Sequence, residues 1–105
     1  MNPPPDPTRA DIDQLSGLAL IEFGAAHCGY CQRSRAWVDA LIQANLQLTY
    51  FRIEDGKGRR LGRSFGVKLW PTLIFLRDGK EITREVRPES QDSIQQALKK
   101  LTESG

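Results

Sequence analysis

The sequence predicts an α/β domain, in which apolar strands alternate with amphipathic helices. Residues 18–23 form a near-continuous apolar run, as expected of a strand buried in a helix-covered sheet. Residues 72–76 form a second apolar run, and the Asp-Gly pair at residues 78–79 predicts a tight hairpin turn into an edge strand at residues 81–86. Apolar residues then recur at helical spacing between positions 94 and 101, which indicates a C-terminal helix capped by Ser90.

Length and composition are those of one ordinary globular unit. The 105 residues are enough for one hydrophobic core, and 39% of them are hydrophobic while 27% are charged. The net charge of +2 is too small to steer the chain toward nucleic acid or a membrane surface. We expect neither kind of partner, and we expect a monomer.

The N-terminal segment is rich in proline. Residues 1–7 hold four of the six prolines, which predicts an extended arm before a domain at residues 8–105. The arm has no basic region followed by an apolar run, so no secretory signal is indicated, and we expect a cytoplasmic location if Met1 is the natural start. Residues 8–16 then predict a short helix capped by Thr8 or Asp11.

Both cysteines of the chain lie in one Cys-x-x-Cys pair, Cys28 and Cys31, shortly after the first predicted strand. From Cys31 onward apolar residues recur at helical spacing, so the pair is expected at the start of a helix that runs to about residue 43. Unpaired N–H groups and the helix dipole at such an N-terminus stabilise a thiolate, the form that attacks disulfides. A zinc site needs about four ligands and the chain has one histidine, so thiol-disulfide exchange is favoured over a metal site or an idle pair.

Two segments together resemble the thioredoxin family: Phe-Gly-Ala-Ala-His-Cys-Gly-Tyr-Cys at residues 23–31 and Lys-Leu-Trp-Pro-Thr-Leu-Ile-Phe at residues 68–75. The resemblance extends over residues 18–101. It implies a thioredoxin-like fold, with a central mixed sheet of about four strands flanked by helices on both faces. It also implies a thiol-disulfide oxidoreductase that acts on disulfide-containing protein substrates, receives electrons from a reductase or a partner dithiol, and needs no bound organic cofactor or metal.

The same resemblance assigns a role to each residue of the site. Cys28 attacks the substrate disulfide and Cys31 resolves the mixed disulfide, while Glu22, in the middle of the first apolar strand, moves the proton of Cys31. Pro71 corresponds to the family's cis proline, beside which Trp70 offers backbone groups to the substrate. The alternative for Glu22 is a glutamate that reaches solvent at the end of its strand.

The expected substrate groove also includes Gly29, Tyr30 and Arg87, where the sequence departs in part from the family pattern. Gly29 and Tyr30 stand where thioredoxins have Gly-Pro, and this dipeptide tunes the redox potential in the family, so the direction of electron flow stays open. His27 directly precedes Cys28, where it either favours the thiolate or is an ordinary surface residue. Arg87 stands where thioredoxins often have a glycine near the groove, which predicts a narrower groove or a preference for acidic substrates.

The remaining segments carry weaker signals. Residues 46–53 alternate as in a strand, and Arg52 is expected in the place of a lysine that lies near the buried carboxylate in thioredoxins. Four basic residues cluster between positions 57 and 63, where a solvated short helix is favoured over a nucleic-acid site because no aromatic residues are interleaved for stacking. Arg35 and Asp39 stand four residues apart on the predicted helix and are expected to pair.

Two other functions stay open from the sequence. One is that of a glutaredoxin-like protein, which binds glutathione or shares an iron–sulfur cluster through Cys28. Glutaredoxins bind glutathione with a Gly-Gly pair and a following acidic residue, which come after the edge strand. In this sequence Val-Arg-Pro-Glu occupies that place, at residues 86–89. The other is that of an adaptor that uses the fold for docking without catalysis, which the residues at His27, Trp70 and Arg87 would permit. The intact Cys-x-x-Cys pair argues against the adaptor.

Overall fold

The computed structural model describes residues 6–104, so the first five residues of the predicted arm lie outside the described part of the chain. Helices and strands follow one another along these residues. In chain order they are α1 (Arg9–Asp13), β1 (Leu18–Gly24), α2 (Gly29–Ala44), β2 (Thr49–Glu54), α3 (Arg60–Ser64), β3 (Thr72–Arg77), β4 (Lys80–Val86) and α4 (Gln91–Glu103).

The four strands form one mixed sheet in the order β2-β1-β3-β4. β1 runs parallel to β2 and antiparallel to β3, and β4 forms an antiparallel hairpin with β3. The two central strands are the two apolar runs of the sequence, because a strand covered by helices on both faces has no solvated side. The predicted four-stranded mixed sheet is confirmed.

Two helices cover each face of the sheet, as predicted. On one face α2 and α4 pack on a core that includes Leu20 and Leu101, both fully buried. On the other face α1 and α3 pack on a second core, in which Ile12 is fully buried. Because side chains alternate along a strand, Glu22 and Gly24 share with Leu20 the face that α2 and α4 cover.

Local signals at the ends of elements are confirmed. Thr8 caps α1, where its hydroxyl accepts a hydrogen bond from the backbone N–H of Asp11 at 3.1 Å, and Ser90 caps α4 in the same way. Asp78 and Gly79 have φ angles of 51° and 78°. Two consecutive residues in the left-handed region are what a two-residue hairpin turn requires.

The basic cluster extends from the preceding turn into α3, a helix of five residues that holds Arg60 and Arg63. Leu61 and Phe65 bury its apolar side against the sheet, whereas Arg59, Arg60 and Arg63 stay exposed. A solvated short helix is therefore the structure of this segment, as predicted. None of the helices within residues 6–104 combines the length and the apolar character needed to cross a membrane.

Three details differ from the sequence predictions. The first helix is shorter than the predicted residues 8–16, because α1 ends at residue 13. β2 begins later than predicted, because Leu46 lies in a turn and is 84% exposed. Asp39 pairs with Arg52 of β2, at 2.9 Å, rather than with Arg35 of its own helix. Arg52 is available to Asp39 because Glu22, on the neighbouring strand, already holds its guanidinium against α2.

Candidate active site

The cysteine pair lies where β1 passes into α2. Residues 25–27 form the connecting loop, and Cys28 has the extended backbone of an N-cap residue. Its Sγ accepts a hydrogen bond from the backbone N–H of Cys31 at 3.1 Å, so a donor of the helix N-terminus points at this sulfur. Cys28 and Cys31 are joined by a disulfide, with their Cα atoms 5.2 Å apart. The predicted order of strand, loop and dithiol helix is confirmed.

The two sulfurs have different surroundings. Cys28 is half-buried at the protein surface, whereas Cys31 is only 2% exposed. Cys31 faces β1, and a Cβ atom at Gly24 would lie 3.0 Å from its Sγ. The missing side chain at Gly24 therefore makes room for the inner sulfur. Of the two sulfurs, Cys28 is therefore the more accessible from solvent, because helix and strand cover Cys31.

A cleft of about 380 Å³ opens beside Cys28. Its lining residues come from four parts of the chain and are Ala25, Ala26, His27, Cys28, Gly29, Tyr30, Glu54, Trp70 and Arg87. All the residues expected at the substrate groove are among them except Pro71, which is itself buried. The peptide bond between Trp70 and Pro71 is cis, as the resemblance implied.

Trp70 is held at the cleft by Asp55. Its indole N–H donates to Asp55 Oδ2 at 2.9 Å, and the carboxylate lies so close to α3 that a side chain at Gly62 would collide with it. Glu54 accepts a hydrogen bond from the backbone N–H of Ala26 at 3.0 Å. Sequence reasoning identified neither carboxylate. The available signal was their place at the carboxyl end of a strand parallel to β1, where α/β folds form their sites.

Arg87 lies across one side of the cleft. Its φ of 50° is in the left-handed region that favours glycine, and its backbone N–H donates to the Pro71 carbonyl at 2.9 Å. Its Nε donates to the Trp70 carbonyl at 3.0 Å, and its guanidinium carbon lies 4.3 Å from the centroid of the Tyr30 ring. The backbone carbonyl that the resemblance offered to substrate therefore already accepts a hydrogen bond from Arg87.

Glu22 lies beneath α2 and is 2% exposed, so the alternative of a solvated strand end is wrong. Its Oε1 accepts hydrogen bonds from the Tyr50 hydroxyl and from Arg52 Nε, the latter at 3.1 Å. Arg52 also donates from Nη2 to Asp39 of α2 at 2.9 Å. The guanidinium of Arg52 thus donates hydrogen bonds to two carboxylates. The predicted position of Arg52 beside the buried acid is confirmed.

The partners of Glu22 have shifted pKa values. Burial, and after it the hydrogen bond to Glu22, raise the pKa of Tyr50, because loss of its proton would place a second negative charge beside the carboxylate. Burial opposes the charge of Arg52, but the attraction of the Glu22 carboxylate, and at high pH that of the ionised Tyr50, outweighs it and raises the pKa of Arg52. Tyr50 therefore stays neutral and Arg52 charged near neutral pH. The sequence signal for Tyr50 was its position two residues before Arg52, on the same face of β2.

The buried acid and the inner sulfur lie on the same side of the sheet. Gly24 borders Cys31, and Glu22 precedes Gly24 by two residues, a distance of about 7 Å along a strand. The Glu22 carboxylate therefore lies beneath α2, on the face of the sheet that also borders the Cys31 sulfur. Within residues 6–104, no three His, Cys, Asp or Glu side chains are grouped so as to hold a metal ion.

A disulfide at a helix N-terminus, with one sulfur buried and the other at a cleft that a cis-proline loop also lines, defines the class of thiol-disulfide oxidoreductases with a mixed α/β fold. The family model described as Thioredoxin matches residues 8–100. The chain belongs to the thioredoxin family, and the prediction made from residues 23–31 and 68–75 is confirmed.

Individual relatives agree with this assignment. Thioredoxin of Chlamydia muridarum (strain MoPn / Nigg) is 34% identical over 85 residues, which cover 81% of this chain and 83% of that protein. The structure of thioredoxin 2 from Pseudomonas aeruginosa PAO1 in its reduced form is 44% identical, has a TM-score of 0.82, and is matched over 95% of this chain and 93% of that one. Protein disulfide-isomerase A3 of Gallus gallus is 31% identical over 90 residues, 85% of this chain but 18% of that protein. The assignment favours a thioredoxin-like oxidoreductase over a glutaredoxin-like protein or an adaptor.

Proposed function

We propose that this chain reduces disulfides of protein substrates, with Cys28 as the attacking residue and Cys31 as the resolving residue. The observation that carries the proposal is the unequal exposure of the two bonded sulfurs, one at the cleft and one 2% exposed. The helix N-terminus stabilises a thiolate on the outer sulfur, where a substrate can meet it. The inner sulfur is kept from solvent until a mixed disulfide has formed.

The reaction proceeds by two exchanges. The Cys28 thiolate attacks one sulfur of the substrate disulfide, a bond between Cys28 and the substrate forms, and the released substrate thiolate takes up a proton. Glu22 accepts the proton of Cys31, and the Cys31 thiolate attacks Cys28 Sγ and displaces the second substrate thiolate, which also takes up a proton. Two electrons pass from the protein dithiol to the substrate, and the protein disulfide remains.

The surroundings of Glu22 support its role as the base. Its carboxylate lies beneath α2, on the face of the sheet where Gly24 borders Cys31. Tyr50 and Arg52 both donate to Oε1. We therefore assign the proton transfer to Oε2, while the two donors hold the carboxylate in place.

We assign substrate binding to the cleft beside the dithiol. The substrate segment lies between the loop at Trp70 and Pro71 on one side and the helix start at Gly29 and Tyr30 on the other. Arg87 Nε uses one of the two lone pairs of the Trp70 carbonyl. A substrate backbone N–H therefore either shares that carbonyl with Arg87 or displaces the guanidinium.

The electron donor is a reductase or a partner dithiol, which restores the dithiol with two electrons and two protons. The direction of exchange follows from the reduction potential of the pair, measured in glutathione buffers. A value near about −270 mV supports a reductase, and one near about −180 mV or higher indicates an oxidant or isomerase. The monomeric state and the cytoplasmic location stay predictions, which light scattering of the purified chain and labelling in cells would test.

Trapping of the intermediate tests the assignment of the cysteines. The prereduced wild-type chain should transfer two electrons to a model protein with one exposed disulfide, measured by thiol labelling. Cys31→Ser should hold the model protein as a mixed disulfide through Cys28, visible by mass spectrometry under non-reducing conditions. Cys28→Ser should neither reduce nor trap it. Reduction that survives in Cys28→Ser would overturn the assignment of Cys28 as the attacking residue. A prereduced wild-type chain that binds the model protein without reducing it would overturn the proposed function and favour the adaptor.

A further inference from the structure

Two arginines flank the ring of Tyr30 at the cleft. The guanidinium carbon of Arg87 lies 4.3 Å from the ring centroid, and that of Arg33 lies 5.8 Å from it. Tyr30 is 47% exposed, so both cations border solvent next to the attacking Cys28. We call Arg33 and Arg87 the Tyr30 arginine pair.

Arg87 has hydrogen-bonding capacity that the fold leaves unused. A guanidinium has five N–H donors, and the donor on Nε binds the Trp70 carbonyl at 3.0 Å. Within the described part of the chain, residues 6–104, the terminal nitrogens of Arg87 meet no protein acceptor, although the side chain lines the cleft. The backbone bond to the Pro71 carbonyl and the contact with Tyr30 fix its position. A planar fork of free donors matches a carboxylate.

Arg33 approaches the same ring from α2. Its Nη2 donates to the Pro88 carbonyl at 3.1 Å, and its guanidinium carbon lies 5.7 Å from the centroid of the Trp37 ring. A second cleft of about 360 Å³ is lined by Gly29, Tyr30 and Arg33. Each of the two clefts that Tyr30 lines therefore also has one arginine in its wall.

Two carboxylates next to the cleft come from the last residue of β2 and the residue after it. Glu54 accepts a hydrogen bond from Ala26, and Asp55 accepts one from the indole of Trp70. Both carboxylates are thus engaged with the protein, whereas the cations at the Tyr30 end have free donors. A negatively charged group that enters the cleft is attracted to the Tyr30 end.

We propose that the Tyr30 arginine pair selects substrate disulfides whose cysteine is flanked by acidic residues. The inference rests on the proposed function, since it specifies which disulfides Cys28 meets. A substrate carboxylate binds the free donors of Arg87 and is supported by the charge of Arg33. Arg87 Nε stays on the Trp70 carbonyl, whose second lone pair accepts a backbone N–H of the substrate. Charge recognition and main-chain pairing therefore take place next to each other.

The test compares three synthetic peptide disulfides that differ only in the residues flanking the cysteine, which are Glu, Gln or Lys. For the wild-type chain, kcat/KM should fall in the order Glu, Gln, Lys. At low salt, kcat/KM for the Glu peptide should exceed that for the Gln peptide by about fivefold, because an ion pair at a protein surface contributes a free energy of this size. The difference should shrink as salt is added. Arg87→Gln should bring the Glu-to-Gln ratio close to one, and Arg33→Gln should lower it by a smaller factor.

Lys99→Gln is the matched control, because it removes one positive charge from the exposed face of α4. It should keep the wild-type ratio. Equal kcat/KM for the Glu and Gln peptides in the wild-type chain would overturn the inference while leaving the proposed function intact. The inference would also be overturned if the Glu-to-Gln ratio of kcat/KM fell equally in Lys99→Gln and Arg87→Gln. Failure to reduce any of the three peptides would overturn the proposed function itself. If Arg87→Gln does not fold, Arg33→Gln and the salt dependence of the Glu-to-Gln ratio still test the inference.

Discussion

The two bonded sulfurs face two regions that are built differently. The region around Cys28 is an open cleft with backbone carbonyls, aromatic rings and guanidinium groups at its border. The region around Cys31 is closed, with Gly24 leaving room for the sulfur and Glu22 fixed below by two hydrogen-bond donors. The contrast indicates a division of labour. Changes in the outer region should alter which substrate is bound, and changes in the inner region should alter how long the mixed disulfide lasts.

Glu22→Gln should have the largest effect, because it removes the buried base and keeps the shape of the side chain. The mixed disulfide should persist about 100-fold longer than in the wild-type chain, the lower range of what a positioned base contributes. Quenched reactions with a model disulfide protein, resolved by non-reducing mass spectrometry, measure this lifetime.

The pH dependence distinguishes lost base catalysis from damaged packing. Raising the pH should shorten the lifetime in Glu22→Gln, because hydroxide then deprotonates the Cys31 thiol directly. Asp39→Asn, which removes the exposed carboxylate of the same network, should leave the lifetime close to that of the wild-type chain. A mixed disulfide that decays equally fast in the wild-type chain and Glu22→Gln would contradict the role of the acid.

Gly24→Val should be next in size. Its Cβ would lie 3.0 Å from Cys31 Sγ, and the branched side chain adds two further carbon atoms on that side. We expect a loss of about 2 kcal/mol in the free energy of unfolding of the oxidised chain, as overpacking of a core commonly costs. Gly24→Ala is the matched control and should lose clearly less, since the sulfur needs to shift by only a few tenths of an ångström. Equal unfolding midpoints in denaturant for both variants would mean that the space beside Cys31 accommodates valine as well as alanine.

Asp55→Ala probes the outer region. It removes the acceptor of the Trp70 indole, and we expect a loss of about 1.5 kcal/mol in the free energy of unfolding and a higher KM for peptide disulfides, with the mixed-disulfide lifetime unchanged. Asp55→Asn keeps an acceptor oxygen and should restore most of both. A double-mutant cycle with Trp70→Phe isolates the bond: the two losses should not add, and additive losses would show that the residues act independently.

Features that depend on neighbouring residues could be predicted from the sequence. The buried strands followed from apolar runs, the hairpin from Asp78 and Gly79, and the cap of α4 from Ser90, because each signal and its structure lie within a few residues. The dithiol at a helix N-terminus was equally local. The four-stranded sheet and the cis bond at Pro71 came from the family resemblance rather than from any residue pattern.

Contacts between distant segments could not be predicted in the same way. Asp39 has a suitable partner four residues away on its own helix, yet it pairs with Arg52, because the parallel register of β1 and β2 sets Arg52 opposite Glu22. The same register brings Tyr50 to Glu22, and the turn after β2 brings Asp55 to Trp70. Such partners are selected by strand register and helix packing, which a single sequence does not specify at the level of one residue.

Tyr50→Phe should have the smallest effect and tests the inner network by its pH dependence. Loss of the hydroxyl that donates a hydrogen bond to Glu22 should cost about 1 kcal/mol in the free energy of unfolding at neutral pH. Because the folded pKa of Tyr50 is raised above its ordinary value of 10.0, the folded chain keeps a proton that the unfolded chain loses. The stability due to this hydroxyl is therefore fully present below about pH 10 and is lost as the pH rises toward the folded pKa. Denaturant unfolding across this pH range should show a steeper loss of the free energy of unfolding in the wild-type chain than in Tyr50→Phe, so that the two curves of stability against pH converge.

Tyr30→Phe is the control, because its ring is exposed in the outer region, and it should keep the steep slope of the wild-type chain. A slope that flattens equally in both variants would mean that the titrating proton lies outside the Glu22 network.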